Sequence, residues 1–242
     1  MTNTPVAVAA EAAPRSLLGR FFGIITSPQA TFRSVVAHPK VFGMLALICL
    51  GMAFLVGGFL YTKTGQLAWL DAATTSSLRG PATPEQLAAM QKIAPYAWMF
   101  GVGQMLVVVP IIFLITAGIL FAIFNAALGG TSTFKQLFAV VVHSSAISLL
   151  GQCFTMPMNF LRGTMTSSTN VAVLLPMIDD TSFLGRLLGM VDLFIIWWLV
   201  VLAIGLGVLF RRRTQPIAVS LMAVYAVIAV VVAIVRSRMG GA

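Results

Sequence analysis

The chain has 242 residues, 59% of them hydrophobic and only 9% charged, with a mean hydropathy of +1.00. An ordinary soluble domain is about 25% charged, and no soluble fold of this length could hide so much apolar surface, which excludes a water-soluble enzyme or binding module. The net charge of +9 and pI near 10.6 would direct a soluble protein to nucleic acid, but here the cations stand at the ends of apolar runs, with no basic stretch interleaved with aromatics. That placement suits anionic lipid and argues against nucleic acid.

Residues 1–14 carry Glu11 as their only side-chain charge and show no periodicity, which predicts a disordered tail. They lack the basic start of a secretory signal, so the N-terminus is expected to be retained. From Ser16 to Ala37 the apolar positions Leu17, Leu18, Phe21, Phe22, Ile24 and Ile25 are followed by Ser27-Pro28 and then Phe32, Val35 and Val36. Ser27 as N-cap with Pro28 at the first helical position predicts that a second short helix begins there. Neither helix can span. Arg20 and Arg33 on otherwise apolar stretches suit interfacial amphipathic helices with arginines in the headgroup layer; packing against the bundle is the alternative. Residues 1–40 are therefore read as a cytoplasmic tail with interfacial helices, and 41–242 as the membrane domain.

Crossing about 30 Å of hydrocarbon takes about 20 apolar residues, and five stretches qualify: residues 41–61, 97–124, 134–156, 187–210 and 217–235. The fold class is an all-α polytopic helix bundle. Pro110 removes a backbone bond in the middle of the long second span and is the expected bend. Tyr61, Tyr96 and Trp98 stand at segment ends, where amphipathic rings prefer the interface. Between the first two spans, Thr83-Pro84-Glu85 opens another short, surface-lying helix. Residues 171–177 are apolar but too few to span, leaving a loop folded on the bundle or an interfacial patch.

The triple arginine Arg211, Arg212 and Arg213 fills a very short loop, and four cations precede the first span. Such contexts obey the positive-inside rule best, so the N-terminus is expected in the cytoplasm of a multi-pass cell-membrane protein. With Arg20 and Arg33, these arginines are the candidate lipid-headgroup contacts.

No phosphate-binding or hydrolase motif of fixed spacing occurs, and Cys49, Cys153, His38 and His143 are too scattered for a metal site. No cofactor, metal or catalytic residue is expected. Asp192 is the single carboxylate in a predicted span, and such a residue is a candidate for function or for a hydrogen-bonded structural role. Ser144, Ser148 and Gln152 recur every four residues and share one helix face, either as an interhelical hydrogen-bond seam or as the wall of a solute path. Depth along the helices places Gln152 level with Asp192 and assigns it, or a backbone donor of its helix, as the carboxylate's partner, directly or through one water. Rows of small residues, Cys49, Ala53 and Gly57 in the first span and Gly118, Ala122, Ala126 and Gly130 along the second, are expected to mark close helix packing.

Three stretches resemble the Yip family of multi-pass membrane proteins, in its bacterial branch: Ile25-Thr26-Ser27-Pro28-Gln29-Ala30-Thr31-Phe32, then Gly129-Gly130-Thr131-Ser132-Thr133-Phe134-Lys135-Gln136, and finally Asp192-Leu193-Phe194-Ile195-Ile196-Trp197 with Ile204-Gly205-Leu206 downstream. The resemblance implies five helices, a cytoplasmic N-terminus and no catalysis. GTPase binding is implied by it alone, through the family's eukaryotic members, whose Asp-Leu-Tyr-Gly-Pro signature is missing here. The function expected is a non-enzymatic adaptor or organiser that contacts membrane lipid and a membrane-protein partner or a second copy of itself. The alternative is a small transporter or channel subunit with Asp192, Ser144, Ser148 and Gln152 lining a path.

Overall fold

The computed structural model describes residues 16–75, 82–175, 177–178 and 182–239; the tail expected at 1–14 lies outside them. Five helical segments among them are long and apolar enough to cross a membrane: Phe42–Tyr61, Pro84–Ala127, Phe134–Arg162, Leu193–Phe210 and Thr214–Val235. The chain is an all-α bundle of five such helices.

Helix α2 (Pro28–Ala37) is packed into the bundle, whereas α1 (Leu17–Thr26) rests on it through Gly23 and Ile24 and leaves Leu17, Leu18 and Phe22 exposed. Phe32 and Val35 are wholly buried, and Gln136 donates to the Val36 carbonyl. Phe32 reaches the fourth span at Gly205, where a Cβ would stand 3.0 Å from its ring and 2.6 Å from Val140. The missing side chain is what lets α2 dock. Ser27 precedes α2 as expected, but its side chain makes no cap bond; its carbonyl accepts from the Thr31 amide and hydroxyl. Arg20, expected at the headgroups, is only 3% exposed and donates to the His38 carbonyl. Burial lowers its pKa. The buried faces of α1 and α2 cover protein, with Arg20 among them, while Leu17, Leu18 and Phe22 of α1 stay exposed.

The first span, α3 (Phe42–Tyr61), ends under α4 (Lys63–Thr75), which folds back over Val56, Phe59 and Leu60. The turn is made by Thr62, whose hydroxyl donates to the Phe59 carbonyl and accepts from the Gly65 amide. The second span is one helical column. It begins at α5 (Pro84–Ile93), capped by Thr83 in a reciprocal pair with Gln86, and passes a 3-10 turn at Ala94–Tyr96 into α6 (Ala97–Gly103) and α7 (Val109–Phe121). A π-helical turn, Gln104–Val108, separates α6 from α7, with Val109 donating to Gln104 five residues back. Pro110 supplies the cause. It has no amide to give the Leu106 carbonyl and would clash with it, and the wider π turn relieves the crowding. A second π turn, Ala122–Ala127, closes the column, and Gly129 turns the chain away at φ 70°.

The third span runs from α8 (Phe134–Ser144) through a break at Ser145 into α9 (Ala146–Arg162), continuing past Pro157 beyond its expected end at 156. His143, Ser144 and Ser145 are buried and each bonds the carbonyl four residues back, a pattern that bends helices. This is the central element: 67% of its apolar window is buried, against 17% in the second and fifth spans. Of the two small-residue rows, Gly57 lies against Val102 as expected of packing; in the second, Gly130 lies against Phe210, whereas nothing stands within 4 Å of a Cβ on Gly118, and Ala122 and Ala126 are exposed.

The fourth span is shorter than expected. Residues 187–190 belong to a separate helix, α10 (Phe183–Met190); the chain is extended at Val191, and α11 (Leu193–Phe210) starts after Asp192. Helix α12 (Thr214–Met239) completes the bundle against α11 and α10.

Candidate functional site: the Asp192 cleft and the cationic end

The chain between α9 and α11 is sewn together by polar groups. Gly163, at φ 63°, ends α9 in the left-handed conformation that glycine tolerates best. The hydroxyl-rich run from Thr164 to Asn170 then returns along the start of α11, where Val171 donates to the Val191 carbonyl and Leu193 to the Thr169 carbonyl, pairing Asn170 with Asp192. Ser168 donates to Asn159, which is buried on α9.

Asp192 is the N-cap of α11. One carboxylate oxygen accepts from the Phe194 and Ile195 amides at 2.8 and 3.3 Å, satisfying two of the helix's orphan donors. The other accepts from the Ser167 and Thr169 hydroxyls at 2.5 and 2.6 Å, lengths typical of an ionised acceptor. Burial alone would raise its pKa, but the bonds from Ser167, Thr169, Phe194 and Ile195 outweigh it and hold the carboxyl below the ordinary range. Nearby, the Tyr225 hydroxyl of α12 donates to the Met190 carbonyl and fixes the end of α10.

These groups border a cleft of about 290 Å³ between α9, the 163–169 return and α11. Ser148, Gln152 and Asp192 all line it. The direct bond expected from Gln152 to Asp192 is not made: the two hydroxyls of the return loop take that place, and Gln152 accepts from Thr155 of its own helix. Ser144 turns back on its own helix and is wholly buried. Trp198 also lines the cleft, and its indole N–H is buried without an acceptor among the described residues. Ser167, Thr169 and Tyr225 are not picked out by the sequence because neither charge nor a polar repeat on one helix face marks them. The available signals were the density of hydroxyls in 164–169 and an Asp directly before an apolar run, which is a cap signature.

At the opposite end of the bundle, Arg33, Lys40, Lys135, Arg211, Arg212 and Arg213 are all exposed, and no carboxylate of the described residues lies there. Asp71, Glu85 and Asp192 belong to the Asp192 end. The arginine loop is held in a tight turn: Arg211 is left-handed at φ 53°, and its amide and that of Arg212 both reach the Gly207 carbonyl.

Residues 22–235 match the Yip1 domain. The chain belongs to the Yip1 domain family. As a Yip1-domain protein it is an integral, multi-pass membrane protein. It is also 28% identical over 192 residues, 76% of each chain, to "Membrane protein YknW" of Bacillus subtilis (strain 168). No solved structure gives a significant match. The stretches that carried the resemblance meet in space at Phe32 and Gly205, and they include the Asp192 cap.

Proposed function

We propose that this Yip1-domain protein is a non-enzymatic organiser of the cell membrane, with its N-terminal end in the cytoplasm, gripping anionic lipid there and meeting other membrane proteins through its lipid-facing helices. The observation that carries this reading is the separation of charge. One end of the bundle exposes six cations with no described carboxylate among them, and a one-signed field next to the membrane attracts anionic headgroups by about 1 kcal/mol per cation. Concentration of arginines in the short 211–213 loop supports a cytoplasmic assignment for that end. The transporter alternative draws less support, because both oxygens of Asp192 are already occupied by four protein donors and a transported ion would have to displace them.

Replacing Arg211, Arg212 and Arg213 together with Gln is expected to lower the ratio of anionic to neutral lipid recovered with the protein from mixed nanodiscs, and less so in high salt. An unchanged ratio would defeat the lipid reading. Orientation is read separately by single-cysteine labelling from outside, in a background lacking Cys49 and Cys153. Position 166, exposed in the return loop, should react and position 214 should be protected; the reverse pattern overturns the topology.

A further inference from the structure

We infer that the groove between the second and fifth spans at the cationic end is a binding site for one anionic phospholipid, with an acyl chain lying in the groove and the phosphate on Arg212. This deepens the lipid reading above, from a diffuse attraction to a defined site.

The groove encloses about 360 Å³. Its floor is buried and apolar: Leu120, Phe124 and Ile217 are each less than a tenth exposed, and Phe124 stacks on Phe210 with ring centroids 4.7 Å apart. Its walls, Ile123 and Val224, are about half exposed toward the space that lipid fills. Ser220, the one hydroxyl on the wall, donates to the Pro216 carbonyl of its own helix and so asks nothing of an occupant. The fifth-span wall runs from Pro216 to Val224, about 12 Å at 1.5 Å per residue. One leaflet of a 30 Å hydrocarbon core is about 15 Å deep. An acyl chain therefore fits the length, whereas an extended peptide would bring backbone donors and acceptors that this apolar floor cannot satisfy.

The mouth carries the complementary charge. Arg212 reaches across from the start of the fifth span to the Leu128 carbonyl on the opposite wall, at 3.4 Å. That carbonyl is positioned by a closed loop in which Asn125 both donates to the Ser132 carbonyl and accepts from the Ser132 hydroxyl. The contact uses one guanidinium donor of five and leaves a planar fork for a phosphate, with Arg211 and Arg213 exposed beside it.

The test is native mass spectrometry of the purified full chain in micelles containing equal phosphatidylglycerol and phosphatidylcholine. The parent should retain one phosphatidylglycerol. Arg212→Gln should lower retention about fivefold, and Ser220→Trp, which fills the groove without changing charge, by a similar factor. Val224→Trp serves as the second filling variant, with a monodisperse elution profile required of each. Lys92→Gln, which removes an exposed cation at the Asp192 end of the bundle, should retain the lipid as the parent does. Equal losses in Lys92→Gln and Arg212→Gln would overturn the site, as would parent-like retention in folded groove-filling variants. If the parent kept no phosphatidylglycerol while nanodisc selectivity still depended on the arginines, the site would fail and the general lipid reading would stand.

Discussion

The third and fifth spans solve opposite problems with opposite sequences. The third has a mean hydropathy of 1.7 over its apolar window, and 67% of that window is buried in protein; the fifth has 2.9, and only 17% is buried. In a soluble protein the more apolar helix would be the inner one. Here lipid is the solvent, so the most hydrophobic helix is the outermost, and the central one can carry His143, Ser144 and Ser145 because protein surrounds them. Hydrophobicity thus ranks exposure to lipid rather than depth in the core, and what distinguishes the interior is packing and hydrogen bonding.

That contrast is sharpest at phenylalanines. Phe32 is wholly buried where α2 meets the third and fourth spans, whereas Phe54 in the first span is 79% exposed. Phe32→Ala is expected to cost about 3 kcal/mol through the cavity it leaves, and Phe54→Ala less than about 0.5 kcal/mol. Thermal unfolding in detergent measures both. Similar losses at the two positions would break the distinction between protein-facing and lipid-facing apolar residues.

Asp192 gives the next largest effect. Asp192→Leu removes a helix cap and strands the Ser167 and Thr169 hydroxyls, for about 2 kcal/mol; Asp192→Asn keeps an acceptor and should cost about half that. The cap is also a pH probe. The folded carboxyl titrates below its ordinary value, so its stabilisation is present above the unfolded pKa of about 3.9 and is lost as pH falls through the lower, folded value. The melting temperature of the parent should therefore drop more steeply than that of Asp192→Asn on going from pH 5 to pH 3. Parallel curves would show that the carboxylate contributes no ionised cap.

The smallest expected effect separates two glycines. Gly205→Ala drives a methyl to 2.6 Å from Val140 and 3.0 Å from Phe32, for about 1 kcal/mol of overpacking. Gly118→Ala meets nothing within 4 Å and should stabilise its helix by about 0.5 kcal/mol. Opposite signs in the two melting shifts are the decisive readout.

The sequence by itself determined the five spans, the family, and the local devices whose cause is adjacent in the chain. Thr83 with Gln86 caps its helix where the motif begins, and Pro110 disturbs its own column. These are legible because hydropathy, capping and proline chemistry act within a few residues. Tertiary structure alone decided that α2 enters the bundle, since an apolar helix face looks the same whether it will meet lipid or protein. The same ambiguity put Arg20 at the headgroups in the sequence reading and in the core in the folded chain. Asp192 shows the other limit. Apart from Asp192 the run 187–210 is uncharged and long enough to span whole, and the return of residues 164–170 alongside Val191 and Leu193 marks where the helix breaks and the charge becomes a cap. The four donors that hold its carboxylate come partly from residues 23 and 25 positions away, a pairing set by how the chain folds back, which no local periodicity encodes.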